Sequence, residues 1–142
     1  MTNRSHQPEP DWPARAVLAA EAAAESIRRL NHETIRDGYR WPSEVAEVVG
    51  ELQLVAERLP QALRQAAAWL QTEHGAGRVG HDTAPDAVTA VVAEMLTDLA
   101  IAGERAESLA GALRFAHANA NHLTGVVDDD RADGQADVGC EP

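Results

Sequence analysis

The sequence predicts an all-α protein: an antiparallel, coiled-coil-like hairpin of two long helices with a third, N-terminal helix packed on it. Three observations carry this prediction. From Pro85 to Leu123, apolar residues recur in alternating steps of four and three: Val88, Val92, Met95, Leu99, Ala102, Ala106, Leu109, Leu113, Ala116, Ala120 and Leu123. That is a heptad seam. A second seam of the same spacing runs through Val45, Val48, Leu52, Val55, Leu59, Ala62, Ala66 and Trp69. Alanine, the best helix former, is abundant, and aromatics are only 4% of the 142 residues, so the runs that favour strands are missing.

In chain order, residues 1–11 form a polar lead-in bearing Pro8 and Pro10, too poor in apolar side chains to repay ordering. Asp11 is a suitable N-cap for the first helix, with Pro13 in its first turn. Its stripe is Ala16, Val17, Ala20, Ala23, Ala24, Ile27 and Leu30, and its end falls at Asn31 or Gly38. The second helix starts at Trp41 or Ser43, with Glu44 and Glu47 near the positive end of its dipole. Pro60 lies inside its seam, which keeps its phase across the proline. One kinked helix from Ser43 to Glu73 is therefore favoured over two helices broken at Leu59. Gly75, Gly77 and Gly80 mark a reversing turn over His74–Thr83. Asp82 or Thr83 caps the third helix, Gly103 and Gly111 are weak points within it, and Gly125 stands where a C-terminal glycine stop belongs. The segment 126–142 is an acidic tail, which divides the chain into lead-in, helical domain (12–125) and tail.

A turn centred on Ala76–Gly80 places the two seams face to face. Leu59 then meets Leu99, Val55 meets Ala102, Leu52 meets Ala106, and Val48 meets Leu109. Large side chains face small ones at several levels, the arrangement that lets layers interdigitate. In this register Leu52 and Leu109 are core residues.

Charge and composition exclude several function classes. The formal net charge is −11 and every basic residue is arginine, with no arginine-rich face. A phosphate backbone or an anionic membrane surface would repel such a chain. No run of 18 apolar residues is present, and the polar N-terminus is unlike a secretory signal, so the expected location is cytoplasmic. Cys140 is the only cysteine, which leaves no intrachain disulfide. The six histidines show no H-E-x-x-H or E-x-x-H spacing, and His117 and His122 do not share a helix face. No metal or cofactor is expected. His74 and His81 read as part of a polar turn.

One end of the hairpin gathers the residues with chemical potential. Tyr39, Trp41, Glu44 and Glu47 lie there with Phe115, His117, Asn119, Asn121 and His122. A carboxylate beside an imidazole is the raw material of acid–base chemistry. The same groups also cap and seal a helix end. The possible ligand or partner site is therefore Tyr39, Trp41, Glu44, Glu47, His117 and Asn121. There is no nucleophile elbow and no phosphate loop after a strand, and no catalytic residue is assigned.

The W-x-G turn of secreted actinobacterial hairpin proteins is absent, since Leu70 and Gln71 follow Trp69; so is their tail motif, since Ser43 lies four residues after Tyr39, the only tyrosine. Trp41-Pro42-Ser43-Glu44-Val45, Arg58-Leu59-Pro60-Gln61-Ala62-Leu63 leading to Trp69-Leu70, and Asn121-His122-Leu123-Thr124 resemble segments of small all-helical actinobacterial proteins of unknown function. The resemblance covers roughly Leu30 to Thr124 and implies a helical fold without an activity.

The expectation is a non-enzymatic helical interaction or regulatory protein that binds a protein partner or itself, most simply as a homodimer. The rivals are an exported hairpin that pairs with a similar chain, and an enzyme or ligand binder at the Tyr39/Trp41/His117 end.

Overall fold

The computed structural model describes residues 14–126, and the predicted lead-in, the Asp11 cap and most of the acidic tail lie outside them. Among the described residues there are three α-helices and one short 3-10 turn, with no strand: α1 (Arg15–Glu33), α2 (Pro42–Gly75), the turn Pro85–Ala87, and α3 (Val88–Ala120). The chain divides into two units, 1–40 and 41–142.

The first unit holds α1. The helix outlasts Leu30 by one turn because Thr34 closes it: the Thr34 hydroxyl and N–H both donate to the Leu30 carbonyl, at 2.9 and 3.0 Å. Arg36 then takes a left-handed φ of 62°. Gly38 folds back so closely on Glu33 and Thr34 that a Cβ there would strike their backbone. Neither candidate end point is where the helix stops: Asn31 lies within it, Thr34 ends it, and Gly38 closes the turn that follows. No residue of α1 is buried, and its surface carries an Arg28–Glu25 pair at 2.7 Å.

The second unit is the antiparallel hairpin of α2 and α3, as expected. α2 is a single helix across Pro60, and α3 is a single helix across Gly103 and Gly111. Trp41 is the N-cap of α2, in extended geometry as its place before Pro42 requires. Its N–H donates to the Glu44 carboxylate and its carbonyl accepts from the Glu44 N–H, each at 3.1 Å. Neither Asp82 nor Thr83 caps the next element. The acceptor is His81 Nδ1, which receives the N–H groups of Thr83 and Ala84 at 3.2 and 3.0 Å. α3 ends at Ala120, and Gly125 is not its stop. Gly125 instead lies against Trp41, where a Cβ would come within 2.6 Å of the indole ring.

The seam differs from the predicted one. Beside Val48, Gly50 and Leu52, which are also half-buried, the inward row of α2 is Ala46, Val49, Gln53, Ala56, Pro60, Leu63, Ala67 and Leu70. Each stands one residue after its predicted counterpart, a rotation of about 100°. On α3 the inward row is Val92, Leu96, Leu99, Gly103, Ala106, Ala110, Leu113, His117 and Ala120. It keeps Val92, Leu99, Ala106, Leu113 and Ala120 but replaces Met95, Ala102, Leu109 and Ala116 by their successors. Apart from Pro60 and Val92, the buried residues of the hairpin are all alanines. Small side chains let two helix backbones approach, and close packing supplies dispersion contact that bulkier but looser pairs would forgo. Leu109 is 49% exposed and Leu52 is only half-buried, so neither is the core residue expected.

The register also slides. Gly50 faces His117, where the predicted register would have set it opposite Glu107, a shift of about ten residues or 15 Å. The connector explains the direction. The loop after Gly75 continues past the glycines into the 3-10 turn at Pro85–Ala87, so the hairpin's midpoint moves from Ala76–Gly80 toward His81.

Candidate functional site

The seam divides the hairpin surface into two unlike faces. One edge is polar. Arg114 Nη2 donates to Glu57 Oε1 at 3.1 Å, and Arg64 Nη1 lies 3.6 Å from Glu107 Oε1. Gln53 Nε2 also donates to Glu57 Oε1, at 2.9 Å. The Gln53 amide, and after it the Arg114 guanidinium, holds the Glu57 carboxyl below the ordinary carboxylate range. A groove of about 340 Å³ opens along this edge, lined by Pro60, Leu63, Arg64, Leu99, Gly103 and Glu107 among others.

The opposite edge is apolar. In an antiparallel pair, residues that directly precede the seam positions on both helices project to the same side. On α2 these are Val45, Val48, Leu52, Val55, Leu59, Ala62, Ala66 and Trp69, without one charged residue among them. They are the residues predicted to form the seam itself. On α3 they are Val91, Met95, Asp98, Ala102, Arg105, Leu109, Ala112 and Ala116. Large side chains stand open here: Val55 is 42% exposed, Leu59 42%, Met95 49% and Trp69 65%. This face could have been found in the sequence, because a second heptad row of small residues (Ala46, Ala56, Ala67; Gly103, Ala110) runs beside the large one.

The predicted site residues are only partly brought together. Glu47 and His117 share an open groove of about 550 Å³ with Gly50, Glu51, Gln53 and Leu54. The His117 ring lies 3.1 Å from where a Gly50 Cβ would stand, so glycine at 50 makes room for the imidazole. Gly50, Gln53 and Leu54 were not among the expected site residues. Trp41 and Glu44 are joined through the N-cap of α2, and the Trp41 ring, 51% exposed, packs on Gly125. Asn121 is the C-cap of α3: its N–H donates to the His117 carbonyl at 3.1 Å, and the residue is exposed. Tyr39 belongs to the first unit, 37% exposed. The arrangement offers an imidazole and a carboxylate on one shallow wall. Among the described residues, no group of three or more histidine, cysteine, aspartate or glutamate side chains is placed to hold a metal ion.

No family model matches this chain, and neither a curated protein nor a solved structure matches it.

Proposed function

We propose that this chain is a non-enzymatic helical interaction protein, acting in the cytoplasm through protein–protein contacts made by the apolar face of its α2–α3 hairpin. One observation carries the reading: Val55, Leu59, Trp69, Val91, Met95 and Leu109 stand open along one edge of the two helices, while all but two of the buried seam residues are alanines. A contiguous apolar surface of this kind marks an interface far more often than it marks an idle exterior. The net charge of −11 favours a protein partner over nucleic acid or an anionic membrane. No helix among the described residues is long and apolar enough to cross a membrane. Kinship with the small actinobacterial helical proteins is part of the same proposal and brings no activity with it.

The test separates an interface from a core. Leu59→Gln and Leu109→Gln are each measured by urea denaturation at sub-micromolar concentration, where association contributes little. An interface residue, already open to water, costs less than about 1 kcal/mol when made polar. A loss of 2–5 kcal/mol at both positions, the range for truncating a buried leucine, would show that the face is part of the fold's own core and would overturn the reading.

A further inference from the structure

Resting on that reading, we propose that the occupant of the apolar face is a second copy of this chain, related by a two-fold axis that crosses the hairpin at the level of Ala102. Three features of the face support this partner over an unrelated one.

The first is its charge. Asp98 and Arg105 are the only charged residues of the α3 row, and neither has a hydrogen bond or ion pair among the described residues. They flank Ala102, four residues before it and three after it, and are one heptad apart. An antiparallel α3–α3 pairing centred there sets Asp98 of each copy against Arg105 of the other, so two copies supply the counter-charges that one lacks. Opposite charges across an interface fix register and exclude wrong pairings.

The second is its shape. The same axis sets Met95 opposite Leu109 and Ala102 opposite its own copy. The α2–α3 register places residue 64 level with Ala102, in keeping with the Gly50–His117 and Trp41–Gly125 contacts. On α2 the axis therefore sets Leu59 opposite Trp69 and Ala62 opposite Ala66. Small residues lie at the axis with large ones on both sides. A closed, self-complementary contact of this form is the commonest solution for a soluble homo-oligomer.

The third is its extent. The exposed parts of Val45, Val55, Leu59, Trp69, Val91, Met95 and Leu109, with the neighbouring alanines, present on the order of 800 Å² per copy, the share each partner contributes to a standard stable interface. α1, the occupant expected from the sequence, spans 19 residues against the 34 of α2 and would leave about half of the length open.

The test is the mass of the full chain by sedimentation equilibrium, from nanomolar to high micromolar, for the wild type and two charge variants. The wild type should move from 15.2 kDa to twice that value. Arg105→Asp places four acids around the axis and should raise the dissociation constant by about tenfold or more, the effect of like charges brought together in an interface. Adding Asp98→Arg to that variant restores both pairs and should recover most of the affinity. A wild type that stays at 15.2 kDa throughout would overturn the proposal. The interaction-face reading would then still stand if Leu59→Gln and Leu109→Gln leave stability unchanged. A dimer indifferent to both variants would also overturn it, because the copies would meet by another surface.

Discussion

His117 sits over Gly50, its imidazole Cε1 3.1 Å from the place a Cβ at residue 50 would occupy. This contact fixes the pairing of α2 with α3 near the open end of the hairpin. It also makes one glycine unlike two others. Nothing lies within 4 Å of a Cβ built at Gly103 or Gly111, so those positions bear the helix cost of glycine without a steric need for it. Gly103→Ala and Gly111→Ala should each stabilise the hairpin by about 0.5–1 kcal/mol. Gly50→Val should destabilise it by about 1–3 kcal/mol as the ring is displaced. Chemical denaturation of the three variants provides the comparison.

Ala56 is 1% exposed and Ala110 is 4% exposed, both within the seam. Enlarging either to leucine forces the helices apart and should cost about 1–3 kcal/mol or more. The thermal midpoint reads this directly. Were the seam the predicted row of larger residues, both alanines would face outward and leucine would be tolerated.

Gly125 packs where a methyl group would meet the Trp41 ring. Gly125→Ala should therefore move the Trp41 fluorescence toward that of an open indole, with helix content unchanged. A variant in which Trp12→Phe and Trp69→Phe leave Trp41 as the sole indole isolates the signal. An unaltered spectrum would show that the contact is not formed in solution.

The carboxyls of Glu25, Glu57 and Glu73 are all held below the ordinary carboxylate range: Glu25 by Arg28, Glu57 by Gln53 and then Arg114, and Glu73 by Arg78. A depressed carboxylate contributes stability that is complete above its ordinary value and is lost as pH falls through the lowered one. Stability should thus be level toward neutral pH and decline in acid. Glu57→Gln should flatten part of that decline. The arginines of all three are open to solvent and the carboxylates at least partly so, so the effect should be small and should shrink further with added salt.

Much of the hairpin was legible in the sequence because heptad spacing is a strong signal. The spacing announced two long helices, and it was right that α2 continues through Pro60 and α3 through Gly103 and Gly111. The facing rows were not legible by the same rule. Periodicity cannot say which of two adjacent heptad rows turns inward, and apolarity pointed to the row of leucines and valines. Packing chose the rows that bury Ala46, Ala56 and Ala110, which lets the helices come together more closely. The turn was recognised by its glycines, but the added 3-10 turn at Pro85–Ala87 displaced the register. Of the site residues, Glu47 and His117 meet at one groove, while Trp41, Glu44 and Asn121 serve helix ends. That division depends on caps and register, which residue types alone do not encode.

The apolar face is probed most directly by the emission of Trp69, which is 65% exposed at the turn end of the α2 row. In a chain where Trp12→Phe and Trp41→Phe leave it as the sole tryptophan, emission is recorded from nanomolar to high-micromolar concentration, with helix content followed by circular dichroism. Red, water-like emission is expected in dilute solution, shifting to the blue as a second copy covers the ring, while helicity stays constant. Blue emission at every dilution would mean that the face is covered within a single chain, and red emission at every concentration would mean that no second copy covers it; either result would overturn the paired apolar face.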